Sequence, residues 1–427
     1  MLDFSLSPEQ QNVRHTAAAF AAGALKNARA AYTKLPDDGV TRFNSTKPIF
    51  ETATKLGIVK SLVPTPLGGT GGTLVDSALI TEELFAVEPS VALSILTINM
   101  GLMPLLFSAG KEELQKEVLA PFLTGTGTPL ATFHSSEPCG SANFMEKGGR
   151  GLQTTARHDP EKDEWVVNGD KIWSGNSAGW DGKGADVLTI LCRNPDIKSD
   201  NAKDAAMIII GTREVIDANV PGAYKVVEHK VTPGFTACSG PHVRFTDLRI
   251  PSKFVVATGT TAAGLIAMTF TASATMVGAM GVGIMRATFE AALKYAKENT
   301  AGGSVKILER QSPADLLIAI KIRADTARLL TWKAAHALDT GTPGAAEMCF
   351  AAKIYASEAA VTSVAEAMRV VGISSYSKEM PFGQLMEDAL VLPIFDGGNQ
   401  GVRRREIQTL FLAEDYKPWQ CSFETRD

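Results

Sequence analysis

Cysteine is scarce: five residues in 427 (Cys139, Cys192, Cys238, Cys349, Cys421), odd in number and with no CxxC pair. That excludes a disulfide framework and points to a reducing compartment, with the cytoplasm as the default. Six histidines (His15, His134, His158, His229, His242, His336) include no HExxH or other paired spacing, so no metal site is expected. Excess positive charge is missing too, with 42 Lys+Arg against 46 Asp+Glu and a net charge of -4. A nucleic-acid partner would normally show as a basic stripe. The glycine-rich stretch Leu67-Gly68-Gly69-Thr70-Gly71-Gly72-Thr73 lacks the Gly-Lys-Ser/Thr of a P-loop and the preceding strand of a dinucleotide site. Met1-Leu2-Asp3-Phe4 has no basic or long apolar region of a signal peptide, and Glu424-Thr425-Arg426-Asp427 matches no short targeting tail.

Long apolar runs are nearly absent. Phe254 to Met285 carries no charge and could span a bilayer by length. It is rich in Ala, Gly, Thr and Ser, and Arg286 opens an amphipathic continuation, so it reads as a core helix with no membrane partner. What is left is an ordinary globular composition, 45% hydrophobic and 21% charged. A general base must come from the carboxylates, and a cofactor must supply any hard chemistry.

The periodicity changes twice. Residues 1–128 read as helices, opened by the capping box Ser7-Pro8-Glu9-Gln10, with further helices over Lys47 to Leu56 and Leu74 to Phe85. From 129 to 251 the period is two. Glu164 to Trp173 predicts a hairpin around Asn168-Gly169, and Val187–Cys192, Met207–Ile210, Tyr224–Val227 and Val243–Phe245 predict short strands of a barrel or sandwich. Residues 252–427 return to helix: Thr260 to Asn299, a second from Ser312-Pro313 to before Gly341, a third over Gly344 to Val371, and two short ones around Asp396. The fold class is α+β, an N-terminal helical domain, a central β domain and a C-terminal helical bundle.

The stretch Pro393-Ile394-Phe395-Asp396-Gly397-Gly398-Asn399-Gln400-Gly401-Val402-Arg403 sets an acidic side chain on an apolar lead-in, followed by two glycines that let the backbone turn. Asn399 reads as the N-cap of the next helix. Arg403 is spaced to set a positive charge beside the carboxylate, while Arg404 and Arg405 read as a solvated face. Three polar loops accompany it: Phe133-His134-Ser135-Ser136-Glu137-Pro138 with Ser141-Ala142-Asn143, Trp173-Ser174-Gly175, and Arg310-Gln311 before a helix N-terminus that favours phosphate.

Gly68-Gly69-Thr70-Gly71, Ser136-Glu137-Pro138, Lys171-Ile172-Trp173, Gln311 and Phe395-Asp396-Gly397-Gly398, in that order, resemble the acyl-CoA dehydrogenase superfamily. Glu83 to Pro89, Lys147-Gly148-Gly149, Gly151 to Arg157, Gly179-Trp180-Asp181, Ser239-Gly240-Pro241-His242 and Phe395 to Arg405 narrow the resemblance to its nitroalkane oxidase branch. The resemblance implies FAD held between the β domain and the C-terminal helices of a homotetramer. Phe133, His134, Ser135, Ser136, Ser141, Ala142, Asn143, Trp173, Ser174 and Gly175 would line the flavin, with Ile394, Phe395, Gly397 and Gly398 beside it. Arg310 and Gln311 would meet the pyrophosphate or adenine half, and Met368, Arg369 and Gly372 would reach FAD across a subunit boundary. Asp396 would be the base, oriented by Ser273 and paired with Arg403; Met100 and Phe133 would line the substrate channel.

The implied reaction oxidises small neutral nitroalkanes to aldehydes or ketones, by proton abstraction and carbanion addition to FAD, with nitrite and hydrogen peroxide released and oxygen as acceptor. The alternative is dehydrogenation of an acyl-CoA thioester. Against it, the dehydrogenases carry Glu where Asp396 stands, and a Gly-Ser-Asp where this chain has Ser141-Ala142-Asn143. Two further departures concern the cofactor. Gly175 replaces a Ser or Thr that offers the flavin a hydroxyl, and Ala301 replaces an arginine on the FAD.

Overall fold

The computed structural model describes residues 5–423; the stretches read for targeting signals, Met1–Phe4 and Glu424–Asp427, lie outside the described residues. Helix α1 (Pro8–Phe20) starts where its cap predicts, with Gln10 N donating to Ser7 Oγ at 3.2 Å and Ser7 N donating to Gln10 Oε1 at 3.0 Å. It is followed by α2 (Lys47–Lys55), α3 (Leu74–Phe85), α4 (Pro89–Leu106) and α5 (Glu112–Leu123). The glycine-rich loop before α3 is structural. A Cβ on Gly69 would sit 1.8 Å from the Val63 carbonyl oxygen, and Pro64 bridges Gly71.

Among the described residues, eight strands form one sheet: β1 (Ala131–His134), β2 (Thr155–Asp159), β3 (Glu164–Lys171), β4 (Val187–Arg193), β5 (Ala206–Thr212), β6 (Tyr224–Glu228), β7 (His242–Pro251) and β8 (Val255–Thr258). The order is β6-β7-β3-β2-β4-β5-β8, with β1 parallel to β4. One expectation fails here. Asn168-Gly169 does not turn the chain; it forms a bulge inside the continuous strand β3, and the hairpin is β2–β3, closed around Asp163 at φ 52°. The cause is tertiary. Asn168 exchanges hydrogen bonds with Asp247 on β7, both at 2.9 Å, and an added Cβ at Gly169 would meet Thr154 Cα at 2.6 Å.

Three long helices follow: α6 (Gly259–Glu298), α7 (Gln311–Asp339) and α8 (Ala345–Val371). Helix α7 begins one residue before the predicted Ser312 cap. Arg310 holds the extended backbone, and Pro313 then sits in the first turn, where a missing N–H costs nothing. The small residues of α6 are required by packing. A Cβ on Gly278 would lie 2.6 Å from Thr331 Oγ1 of α7, and one on Gly281 would lie 2.7 Å from the Ala356 carbonyl of α8. The apolar window of α6 is 78% buried inside the fold, as a core helix should be. Two short helices, α9 (Phe382–Val391) and α10 (Arg404–Phe411), flank Asp396.

Candidate active site

Between α9 and α10 the chain makes a tight turn that aims Asp396 inward. Asp396, Gly397 and Gly398 are successive residues with positive φ, at 50°, 77° and 26°. For the aspartate this conformation costs on the order of 1 kcal/mol, held by what surrounds it. A π-helical turn, Gly398–Arg403, then brings Arg403 back over the carboxylate. Arg403 Nη2 lies 3.2 Å from Asp396 Oδ2 and donates to the Asp396 carbonyl at 2.7 Å; Nε donates to the same carbonyl at 3.1 Å. A Cβ on Gly397 would stand 3.0 Å from Arg403 Cζ, so glycine is needed there for space as well as for φ. The guanidinium is 1% exposed. It also bonds Glu406 at 2.8 Å and the Phe270 carbonyl at 3.3 Å, between the rings of Phe270 and Phe350. A buried charge this fully paired is a fixed element of the site.

From α6, Ser273 Oγ donates to Asp396 Oδ1 at 2.7 Å. Each carboxylate oxygen therefore has its own donor, and the side chain keeps 10% of its surface open. Sequence reasoning missed what lies behind the turn. Asn399 is not a cap: it is buried in the π-helical turn, donating to Ser357 Oγ at 3.0 Å and Glu358 Oε1 at 3.1 Å and accepting from Lys353 Nζ at 3.0 Å. Lys353 has no exposed surface, and burial pushes its ammonium down to about 8 against the pull of Asp396. Arg404 and Arg405 are exposed, as expected of a solvated face, and are also bonded. Arg404 bonds Glu358 at 2.9 Å, and Arg405 bonds Asn143 and the Ala142 carbonyl, tying that loop to α10.

The two loops on the sheet side are joined. Ile172 N donates to the Ser136 carbonyl at 3.0 Å, and buried Lys171 Nζ donates to both the Ser135 carbonyl and Glu137 Oε1 at 3.0 Å. Burial raises Glu137, but Lys171 and the amides of Gln153 and Thr154 hold it below the usual carboxylate range. This ion pair was another omission; Glu137 and Lys171 lay in the motifs, but only folding pairs them. Beyond it, Trp173 stands 58% exposed at φ 65°, next to Ser174, whose buried Oγ has no hydrogen-bond partner among the described residues. Phe133 packs edge-on to Phe270 at 5.8 Å, and Phe395 stacks on Phe235 at 6.5 Å; Met100 is half-buried against the same core. The His134 ring is wholly buried against Phe245 and Tyr224, so a ligand could meet only its backbone. Ile394 is exposed.

Arg310, Gln311, Met368, Arg369 and Gly372 are elsewhere. They gather around the cluster of Ile307, Leu317, Val370 and Val371 that packs on Ala296. Along α6, Ser273 and Ala296 are about 35 Å apart at 1.5 Å per residue. Among the described residues, no hydrogen bond or ion pair joins Arg310, Gln311, Met368, Arg369 or Gly372 to Asp396, Ser273 or Arg403.

A carboxylate held by one hydroxyl and one guanidinium, on a helix–sheet–helix frame, is a group that can exchange a proton with a ligand. The family profiles for the acyl-CoA dehydrogenase N-terminal and C-terminal domains match residues 7–126 and 263–411. The chain belongs to the acyl-CoA dehydrogenase family and is an FAD-dependent oxidoreductase. It is 46% identical to the nitroalkane oxidase of Podospora anserina, over 99% of both chains. Against the nitroalkane oxidase of Fusarium oxysporum it is 44% identical, over 99% of this chain and 98% of that one. A structure of the flavoprotein nitroalkane oxidase, from work on the roles of one arginine and one aspartate in its reaction, superposes with a TM-score of 0.96. It is 42% identical over 99% of this chain and 100% of that one, and its aspartate and arginine have the spacing of Asp396 and Arg403.

The residues fit FAD. Ser174 offers a buried hydroxyl with no partner among the described residues, Ser135 and Ser136 are half-buried, and Trp173 presents an uncovered ring. An added Cβ at Gly175 would meet Thr97 Oγ1 and Cγ2, both at 3.0 Å, so a hydroxyl residue there requires the Thr97 side chain to shift. Ala301 lies exposed in a loop at φ 52°.

Proposed function

We propose that this chain oxidises small neutral nitroalkanes to aldehydes or ketones, releasing nitrite and hydrogen peroxide, with oxygen as electron acceptor. The observation that carries the reading is the carboxylate of Asp396 between Ser273 and Arg403. The nitro group acidifies the adjacent C–H, and Asp396 takes that proton. Ser273 and Arg403 fix the carboxylate and keep it from swinging to another partner. Phe133 and Met100 supply an apolar wall suited to a short alkyl chain. Bound FAD supplies the two-electron redox chemistry.

A homotetramer belongs to the same reading. Arg310, Gln311, Met368, Arg369 and Gly372 stand too far from Asp396 to serve the same flavin, so they would serve one bound by a neighbouring copy. Ile318, Ile322 and Leu329 of α7 are 54%, 59% and 48% exposed, an apolar stripe that assembly would cover.

Incubating the FAD-loaded protein with nitroethane in air and assaying nitrite and peroxide together tests the activity. The expected result is both products in equal amounts. Flavin bleaching by an acyl-CoA thioester, with none by nitroethane, would overturn it in favour of dehydrogenation.

A further inference from the structure

Lys353 is a wholly buried ammonium on the helix behind the Asp396 turn. Its Nζ donates to the Leu392 carbonyl at 3.3 Å and to Asn399 Oδ1 at 3.0 Å. Leu392 precedes Asp396 by four residues and Asn399 follows it by three, so one ammonium grips both flanks of the turn. Helix α8 adds two more holds at the next turn. Ser357 and Glu358 accept the two Asn399 amide protons, and Glu358 also takes Arg404 at the start of α10. Lys353 and Ser357 lie at i and i+4 on one face of α8, with Glu358 next to Ser357 on its flank. We propose that Lys353 is a positioning residue for Asp396: through Leu392 and Asn399 it fixes the left-handed turn that aims the carboxylate at Ser273.

The physical need is plain from the backbone. Positive φ at Asp396 costs energy, and the two glycines that follow leave the turn free to relax unless the surroundings over-determine it. Arg403 holds the turn from within, at the Asp396 carbonyl, but it belongs to the same segment and moves with it. Lys353 belongs to the scaffold. A buried lysine is costly, and here its charge is balanced by Asp396, Glu358 and Glu406 against the opposing Arg403, so it stays as a paired donor. Its ammonium is pushed down to about 8, which leaves it mostly protonated at neutral pH.

The inference deepens the proposed base role of Asp396, and its test separates the two. FAD-loaded Lys353→Met, Asn399→Ala and the double variant are compared by amide hydrogen exchange across 392–403 and by turnover of nitroethane and of its preformed nitronate. Loss of a charge-assisted hydrogen bond should raise exchange in that segment on the order of tenfold, with the double variant no worse than the Lys353→Met single. Turnover of neutral nitroethane should fall about tenfold or more, with nitronate turnover little changed and Lys353→Arg recovering part of the loss. Unchanged exchange over 392–403 overturns the tether. So does exchange rising over the whole chain with both substrates equally impaired, which is general destabilisation. If Asp396→Asn leaves nitroethane turnover intact, the base assignment fails, and segment exchange in Lys353→Met still decides whether the tether exists.

Discussion

Ser273 and Asp396 are 123 residues apart in the chain, and their side chains meet at 2.7 Å. The serine comes from the rigid core of a 40-residue helix, the aspartate from a strained turn. The turn carries the reactive group and the helix sets its direction.

Asp396→Asn should leave FAD bound and remove proton abstraction. A positioned general base contributes about 10²–10⁴ in rate, so flavin reduction by nitroethane should fall by that order. Preformed nitronate should bypass most of the defect. Anaerobic stopped-flow with both substrates measures the difference; equal loss on both would assign Asp396 a positional role instead.

Removing only the orienting hydroxyl is a milder change. Ser273→Ala deletes one donor to a charged acceptor, worth about 1.5–3 kcal/mol, so the reduction rate for nitroethane should drop between tenfold and a hundredfold. The flavin absorbance spectrum and FAD content should stay as they are.

Gly397→Ala tests the turn itself. The new Cβ meets Arg403 at 3.0 Å on a backbone at φ 77°, so both strain and displacement follow. A loss of about 1–3 kcal/mol in stability is expected, together with slower proton abstraction. Urea titration beside the nitroethane assay reads both.

At the flavin side the structure predicts a size exchange. Gly175→Ser alone should weaken FAD binding, because its side chain has to displace Thr97. Gly175→Ser with Thr97→Ala should restore or exceed the original affinity, read by fluorescence titration of the apoprotein with FAD. Equal affinity in the single variant and the native protein would show that the space is not limiting.

His134 gives a pH dependence with a definite sign. Burial first, then the Lys171 charge, lowers it from 6.5 to about 3. Between those values the unfolded chain binds a proton that the folded chain refuses. Its contribution to stability is therefore intact above about pH 6.5 and is lost as pH falls toward 3, by up to about 1.4 kcal/mol per unit. Unfolding midpoints at pH 7 and pH 5 should converge in His134→Phe relative to the native chain.

The first helix cap, the ends of α3 and the strands β4 to β6 were legible in the sequence because their signals are local. Ser7 and Gln10 are three residues apart, and alternation along a strand needs no partner to be seen. The motif around Asp396 was legible for the same reason: its acid, glycines and arginine lie within one short stretch. Tertiary structure alone decided that Asn168-Gly169 is a bulge, since the bond that makes it one comes from Asp247, 79 residues away. It alone turned Asn399 from a cap into a tethered core residue, because Lys353 lies 46 residues earlier. Gly175 looked like a missing hydroxyl until Thr97, on a separate helix, was found against it. Local hydrogen-bonding preference and hydrophobic period are written in neighbouring residues, whereas desolvation and close approach depend on which distant side chains fill the same space.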